Sequence, residues 1–171
     1  MLTPSRLWKQ MTLEQRLRAA RAFWQDEQAS DDQVQAVLLI AQQKKFRPKS
    51  VVSLNDERKA RHFAGLASLP DGLAARALIL YHLAEQRPMM SAFLDALGIA
   101  HENGLIQDDL AAPDLVKLGP AVTQIAQQHP PESVWLYLNT LLSQDSNTWG
   151  ALGPLLEERD APQTSSLKSE V

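Results

Sequence analysis

Apolar residues recur at helical spacing along most of the chain. Leu13, Leu17, Ala20 and Trp24 fall at i, i+4, i+7 and i+11, one face of a helix. Thr12, with Gln15 three positions on, reads as a capping box at its start. Ser30 and Gln33 repeat that signature before Val34, Val37, Leu38 and Ala41, which read as the inward stripe of a second helix. Arg47-Pro48 closes it, because the residue before a proline is pushed out of the α region. Lys49 to Ser53 reads as an extended link, with Val51-Val52 as a trace of strand. A third helix is expected over about residues 55–67, with Ala60, Phe63, Ala64 and Ala67 inward.

Leu69-Pro70-Asp71-Gly72 reads as a turn. From Ala74 to Ala84 only Arg76 and His82 are polar or charged, apart from the Tyr81 hydroxyl. A helix over 73–86 with that pattern is expected to be buried on all sides, at the centre of the fold. Pro88 opens a fifth helix, with Met90, Phe93, Leu94 and Leu97 inward and Gly98 at its end. Residues 101–113 break the rhythm and are turn-like at His101-Glu102-Asn103-Gly104. Pro120 opens the next helix, stopped by His129-Pro130-Pro131; Val134, Leu138 and Leu141 lead another. Ser146-Asn147 caps a last short helix holding Trp149, interrupted at Gly153-Pro154. The prediction is all-α: about eight helices in an irregular bundle or short α-solenoid built from helical hairpins. Residues 1–159 read as a single domain, and the polar run 160–171 as a disordered C-terminal tail.

A weak internal echo runs through this pattern at about 42-residue spacing. Residues 36–44, 79–87 and 121–129 share two apolar positions, two variable ones, an apolar residue, Ala, Gln or Glu, Gln, then a nitrogen base. Ala84, Gln86, Pro88, Ser91 and Leu94 recur as Ala126, Gln128, Pro130, Ser133 and Leu136. That period is the size of one helix–turn–helix unit in helical arrays.

Composition narrows the picture without sharpening it. The chain has 171 residues and no cysteine, which excludes disulfides, thiolate metal sites and cysteine nucleophiles. No apolar run approaches the roughly 20 residues that span a bilayer, and no secretory signal opens the chain, so a cytoplasmic protein without a membrane partner is expected. Charge is uneven. Residues 1–101 hold 14 Lys and Arg against 10 Asp and Glu, whereas residues 102–171 hold 3 against 10. The basic stretch Lys44, Lys45, Arg47, Lys49, Arg58, Lys59 and Arg61 faces only Asp56 and Glu57 within its span. With Phe46 available to stack, it is a candidate anion patch, and helix 31–45, the link and helix 55–67 could form a helix-turn-helix variant. The link is longer than the usual turn of that motif, and the chain as a whole is acidic.

No local catalytic signature appears: no Gly-rich phosphate loop, no H-E-x-x-H, no Glu-x-x-His and no G-x-S-x-G. His62, His82 and His101 lie near or after three successive predicted helices, beside Glu85 and Glu102. A metal would require them to converge; the burial expected of His82 and the turn expected at His101 argue that they do not. Tyr81, His82, Glu85, Arg87, Met89 and Met90 form the densest mix of polar and soft groups, a candidate binding groove. The expectation is therefore a non-catalytic module, without cofactor, that binds a protein partner. An enzyme or small-molecule site near His82 is the alternative, and nucleic-acid binding through residues 44–61 the third reading.

Overall fold

The computed structural model describes residues 1–160, and the chain is all-α. Among the described residues, eleven helices accompany one two-stranded hairpin. Two compact units divide the chain, an N-terminal one over 2–87 and a C-terminal one from Pro88 onward.

The N-terminal unit is built around aromatic rings. Helix α1 (Pro4–Gln10) starts behind the Thr3 cap with proline in its first turn, and buries Leu7 and Trp8. The Trp8 indole donates to the Leu66 carbonyl at 2.9 Å. Helix α2 (Leu13–Gln25) opens on the expected Thr12–Gln15 capping box. Its buried face is Ala19, Ala20, Phe23 and Trp24; of the stripe read in sequence Ala20 and Trp24 are buried and Leu17 is half-buried, whereas Leu13 is 65% exposed. Phe23 stacks on Phe63 at 4.6 Å, and Trp8 and Trp24 meet Phe63 edge-on. That cluster ties α2 to α5 (Asp56–Ala64), which is capped by Asn55.

Two local expectations fail for identifiable reasons. A 3-10 turn at Glu27–Ala29 runs straight into α3 (Ser30–Lys44), so Ser30 is already helical and caps nothing. Gln33 instead reaches back to the carbonyls of Phe23 and Asp26, satisfying the end of α2. Pro48 does not follow a helix that runs up to it; it opens the short helix α4 (Pro48–Val52), where the sequence suggested extended chain. Proline fits there because the first helical turn needs no donor. Helix α6 (Asp71–Glu85) begins earlier than expected, and its burial is one-sided. Leu73, Ala74, Ala77, Leu78, Tyr81 and His82 are buried, but Ile79, Leu80 and Leu83 are half-buried and Ala84 is exposed.

In the C-terminal unit, α7 (Arg87–Leu97; its first residue closes the other unit) buries Met89, Met90, Phe93, Leu94 and Leu97. It ends at Gly98, whose φ is +70°, with the Ile99 N–H bonding the Leu94 carbonyl. A hairpin follows: β1 (His101–Glu102) pairs antiparallel with β2 (Leu105–Ile106) across Asn103-Gly104. Both turn residues have positive φ, the demand of a type I′ turn that Asn-Gly meets. Helix α8 (Leu115–Gln128) starts behind Asp114, five residues before the expected Pro120, which sits inside it. Helix α9 (Pro131–Gln144) packs against α8, α10 (Ser146–Trp149) and α11 (Leu152–Asp160). Phe93 meets Tyr137 edge-on at 5.8 Å and lies 6.1 Å from Trp149. Gly153-Pro154 falls in the first turn of α11 and starts that helix rather than interrupting one. Of the tail expected over 160–171, Asp160 closes α11 and the rest lies outside the described residues.

Candidate functional site

The residues singled out in sequence divide into core and surface. In the candidate groove, Tyr81, His82, Met89 and Met90 are all buried. Glu85 is held by Arg18 at 3.0 Å, and Met90 lies under Gly104, where an added Cβ would sit 2.6 Å from the Met90 Cβ. Four of the six groove positions are thus core, not a surface open to a partner. Burial alone pushes the His82 imidazole down to about 3, which keeps it neutral at ordinary pH.

The other two histidines are also occupied. His62 sets its ring edge-on to Phe46 at 5.4 Å. His101 is not the solvent-facing turn residue expected from sequence. Its Nδ1 accepts the Gly104 N–H at 3.0 Å, so its Nε2 carries the proton and donates to Asp95 at 2.7 Å. Both nitrogens are used in holding the hairpin. No three His, Asp or Glu side chains come together as a metal site among the described residues.

The basic stretch resolves into two populations. Glu57 accepts both Arg21 nitrogens at 2.9 and 3.0 Å and also Arg61 at 3.2 Å. The Arg21 hydrogen bonds, with Arg61 added, hold its carboxyl down to about 2. Lys59 lies over the Trp24 ring at 5.5 Å and 4.0 Å from Asp56. Arg61 and Lys59 are therefore engaged within the fold. Lys44, Lys45, Arg47, Lys49 and Arg58 are exposed, and none pairs with a carboxylate among the described residues.

What the sequence missed is the apolar component. Helix α3 buries Ala36, Val37, Ile40 and Ala41, which turns Val34 and Leu38 outward at 62% and 54% exposure. These two lie one turn apart on a single row, and the same row reaches Lys45 at the helix end. Lys45 holds the left-handed conformation, φ 56° and ψ 36°, while the Phe46 N–H bonds the Ala41 carbonyl at 2.9 Å. This is the helix-ending motif of Gly98 with a lysine in place of the glycine. It delivers Phe46, 42% exposed, onto His62, one turn from Arg58 on α5. The result is an exposed apolar row, Val34 and Leu38 on α3 and Phe46 just past its end; the five cations gather at the Phe46 end, whereas Val34 lies one turn from exposed Asp31. The only available signal was that Ala36 and Ile40 offered α3 a second, competing inward stripe.

No protein-family model, no curated protein and no solved structure matches this chain.

Proposed function

We propose that this protein is a non-catalytic interaction module that binds a protein segment on the face formed by the end of α3, the following loop, α4 and α5. One observation carries the reading: Phe46 and, two turns back on α3, Leu38 stay exposed at the end of the helix where Lys44, Lys45, Arg47, Lys49 and Arg58 pair with no carboxylate among the described residues. Scattered exposed aliphatics are ordinary, but an exposed apolar row that ends in a cluster of like charges marks a docking surface. The charge asks for a partner that is acidic as well as apolar. Covering the exposed parts of Val34, Leu38 and Phe46 contributes roughly 1 kcal/mol apiece. Micromolar affinity needs about 8 kcal/mol, so the charges have to supply much of the remainder, and binding of this kind is salt-sensitive and transient.

The chemistry elsewhere supports a module over an enzyme. The groups with strongly displaced titration are a buried neutral His82, a Tyr137 phenol pushed up by burial and an ionised Glu57 tied to two arginines. General acid–base work favours a group poised near the operating pH and within reach of a substrate, and none of these is one. The 42-residue echo fits the same picture of repeated helix ends. Its three segments lie at the C-terminal ends of α3, α6 and α8, in phase within two residues. We read it as a repeated hairpin element.

The test is a photo-crosslinking amino acid placed at Leu38 or Phe46, with Gln10 on α1 as control. A discrete protein adduct is expected at 38 and 46 and not at 10, lost when Lys44, Arg47 and Lys49 become Gln. Recovery of nucleic acid at those positions would replace this reading with a phosphate-binding one. Absence of any adduct specific to 38 and 46 would refute it.

A further inference from the structure

The two units differ in sign. Residues 2–87 carry 14 Lys and Arg against 9 Asp and Glu, and residues 88–171 carry 3 against 11. The C-terminal unit also has an exposed apolar segment of its own. Leu105 is 45% exposed, Leu110 90%, Leu115 69% and Val116 84%. Between residues 102 and 116 these alternate with Glu102, Asp108, Asp109 and Asp114, and the stretch contains no Lys or Arg. The segment is shaped, not merely polar chain. Asp108 accepts the Leu110 N–H at 2.9 Å and its carbonyl accepts the Ala111 N–H, a turn that sets Leu110 at its corner. Asp114 caps α8 through the Val116 N–H, which fixes Leu115 and Val116 in the first turn of that helix.

This is the chemistry that the basic, apolar face of α3–α5 requires of its partner: aliphatic side chains interleaved with carboxylates. We infer that the occupant of that face is the 102–116 segment of a second copy of this chain. The inference rests on the interaction reading above and specifies its partner. Four carboxylates meet the five cations that pair with no carboxylate among the described residues, while Leu110, Leu115 and Val116 cover Val34, Leu38 and Phe46. Each copy offers one face of each kind, so the contact pairs the basic face of one copy with the acidic segment of the other. Like charges oppose the other pairings of the same surfaces, which selects basic face against acidic segment.

The test uses the full chain and two reversed variants. One carries Arg47→Glu with Lys49→Glu, the other Glu102→Lys with Asp109→Lys; all four positions are exposed, and none of the four side chains closes a cap or turn. Sedimentation velocity over about 1–200 μM should show a concentration-dependent dimer of the natural chain, weakened at least about tenfold between low and high salt. Each variant alone should be monomeric. Their equimolar mixture should dimerise, because the native pair survives on one side and the reversed pair attracts on the other. That rescue also shows that both variants fold. A natural chain that stays monomeric, single variants that dimerise unchanged, or a mixture that fails to recover would each overturn the inference. If photo-adducts at Leu38 and Phe46 then go to a different protein, the interaction reading stands and only the identity of the partner is lost.

Discussion

Lys45→Gly should be more stable than Lys45→Ala, although both remove the same exposed cation and neither adds a contact. At φ 56° and ψ 36° the Lys45 Cβ crowds the carbonyl that follows it. For an L-residue that conformation costs roughly 1–2 kcal/mol, which glycine does not incur. Glycine loses roughly 0.5–1 kcal/mol more backbone entropy on folding than a residue with a Cβ. The difference favours glycine over a residue with a Cβ by about 0.5–1 kcal/mol at this position. Lys45→Ala separates strain from charge, since it removes the ammonium and keeps the Cβ. The lysine also sits at a helix C-terminus, where a cation contributes about 0.3–1 kcal/mol, so Lys45→Ala should be level with the natural chain or slightly below it. Urea unfolding of the three proteins, read at matched slope, measures these differences directly. Gly above Ala is the expected outcome, with the natural chain level with Gly or between the two, because its cation offsets part of the strain that glycine removes. A glycine variant no more stable than the alanine one would refute the left-handed assignment. It would also refute the argument that strain is retained here to present a cation. Crosslinking through Phe46 should fall in both variants, because both lose the charge.

Gly104→Ala should be among the most damaging small changes in the C-terminal unit, since φ +91° forbids the side chain and its Cβ would meet the Met90 Cβ at 2.6 Å. Strain and overpacking together predict a loss of about 2–5 kcal/mol in urea melts, whereas Gly72→Ala, in open space within α6, should gain a few tenths up to about 1 kcal/mol. Acid should weaken the fold through His82. Its folded value near 3 lies below the ordinary 6.5, so the unfolded chain binds the extra proton between those limits. Stability is then full above about pH 6.5 and falls toward pH 3 by at most about 1.4 kcal/mol per unit. Equilibrium melts across that range should show the slope, and His82→Gln should flatten it; an unchanged slope would place the acid response elsewhere.

The all-α class was legible because apolar spacing is a property of local chain, and most helices lie where that spacing put them. What local pattern could not settle was which of two stripes faces inward. In α2, Leu13 and Leu17 competed with Ala19 and Phe23, and the ring stacking of Phe23 on Phe63 decided the outcome. In α3, Val34 and Leu38 lost the interior to Ala36 and Ile40 in the same way. The buried face of α3 combines the small Ala36 and Ala41 with Val37 and Ile40, so size and hydrophobicity alone do not rank one stripe over the other. The hairpin at 101–106 had a local signal in Asn103-Gly104, but its strands are two residues long and carry no alternation to detect.

The same competition explains why the candidate site was half visible. Charge is counted without knowing orientation, so Lys44, Lys45, Arg47, Lys49 and Arg58 were found from sequence together with Lys59 and Arg61, which the fold then engaged at Trp24 and Glu57. The apolar half was hidden because an exposed leucine and a core leucine look alike in a string of letters. For Tyr81, His82, Met89 and Met90 the converse holds: polar and soft groups suggest access in sequence, but the fold packs all four. Lys45 is where the two kinds of information meet. A cation in a position that favours glycine conflicts with local stability, and such conflicts collect where function holds a residue in place. The mirrored arrangement at 102–116, carboxylates around Leu110, Leu115 and Val116, gives that conflict a physical counterpart in the same chain.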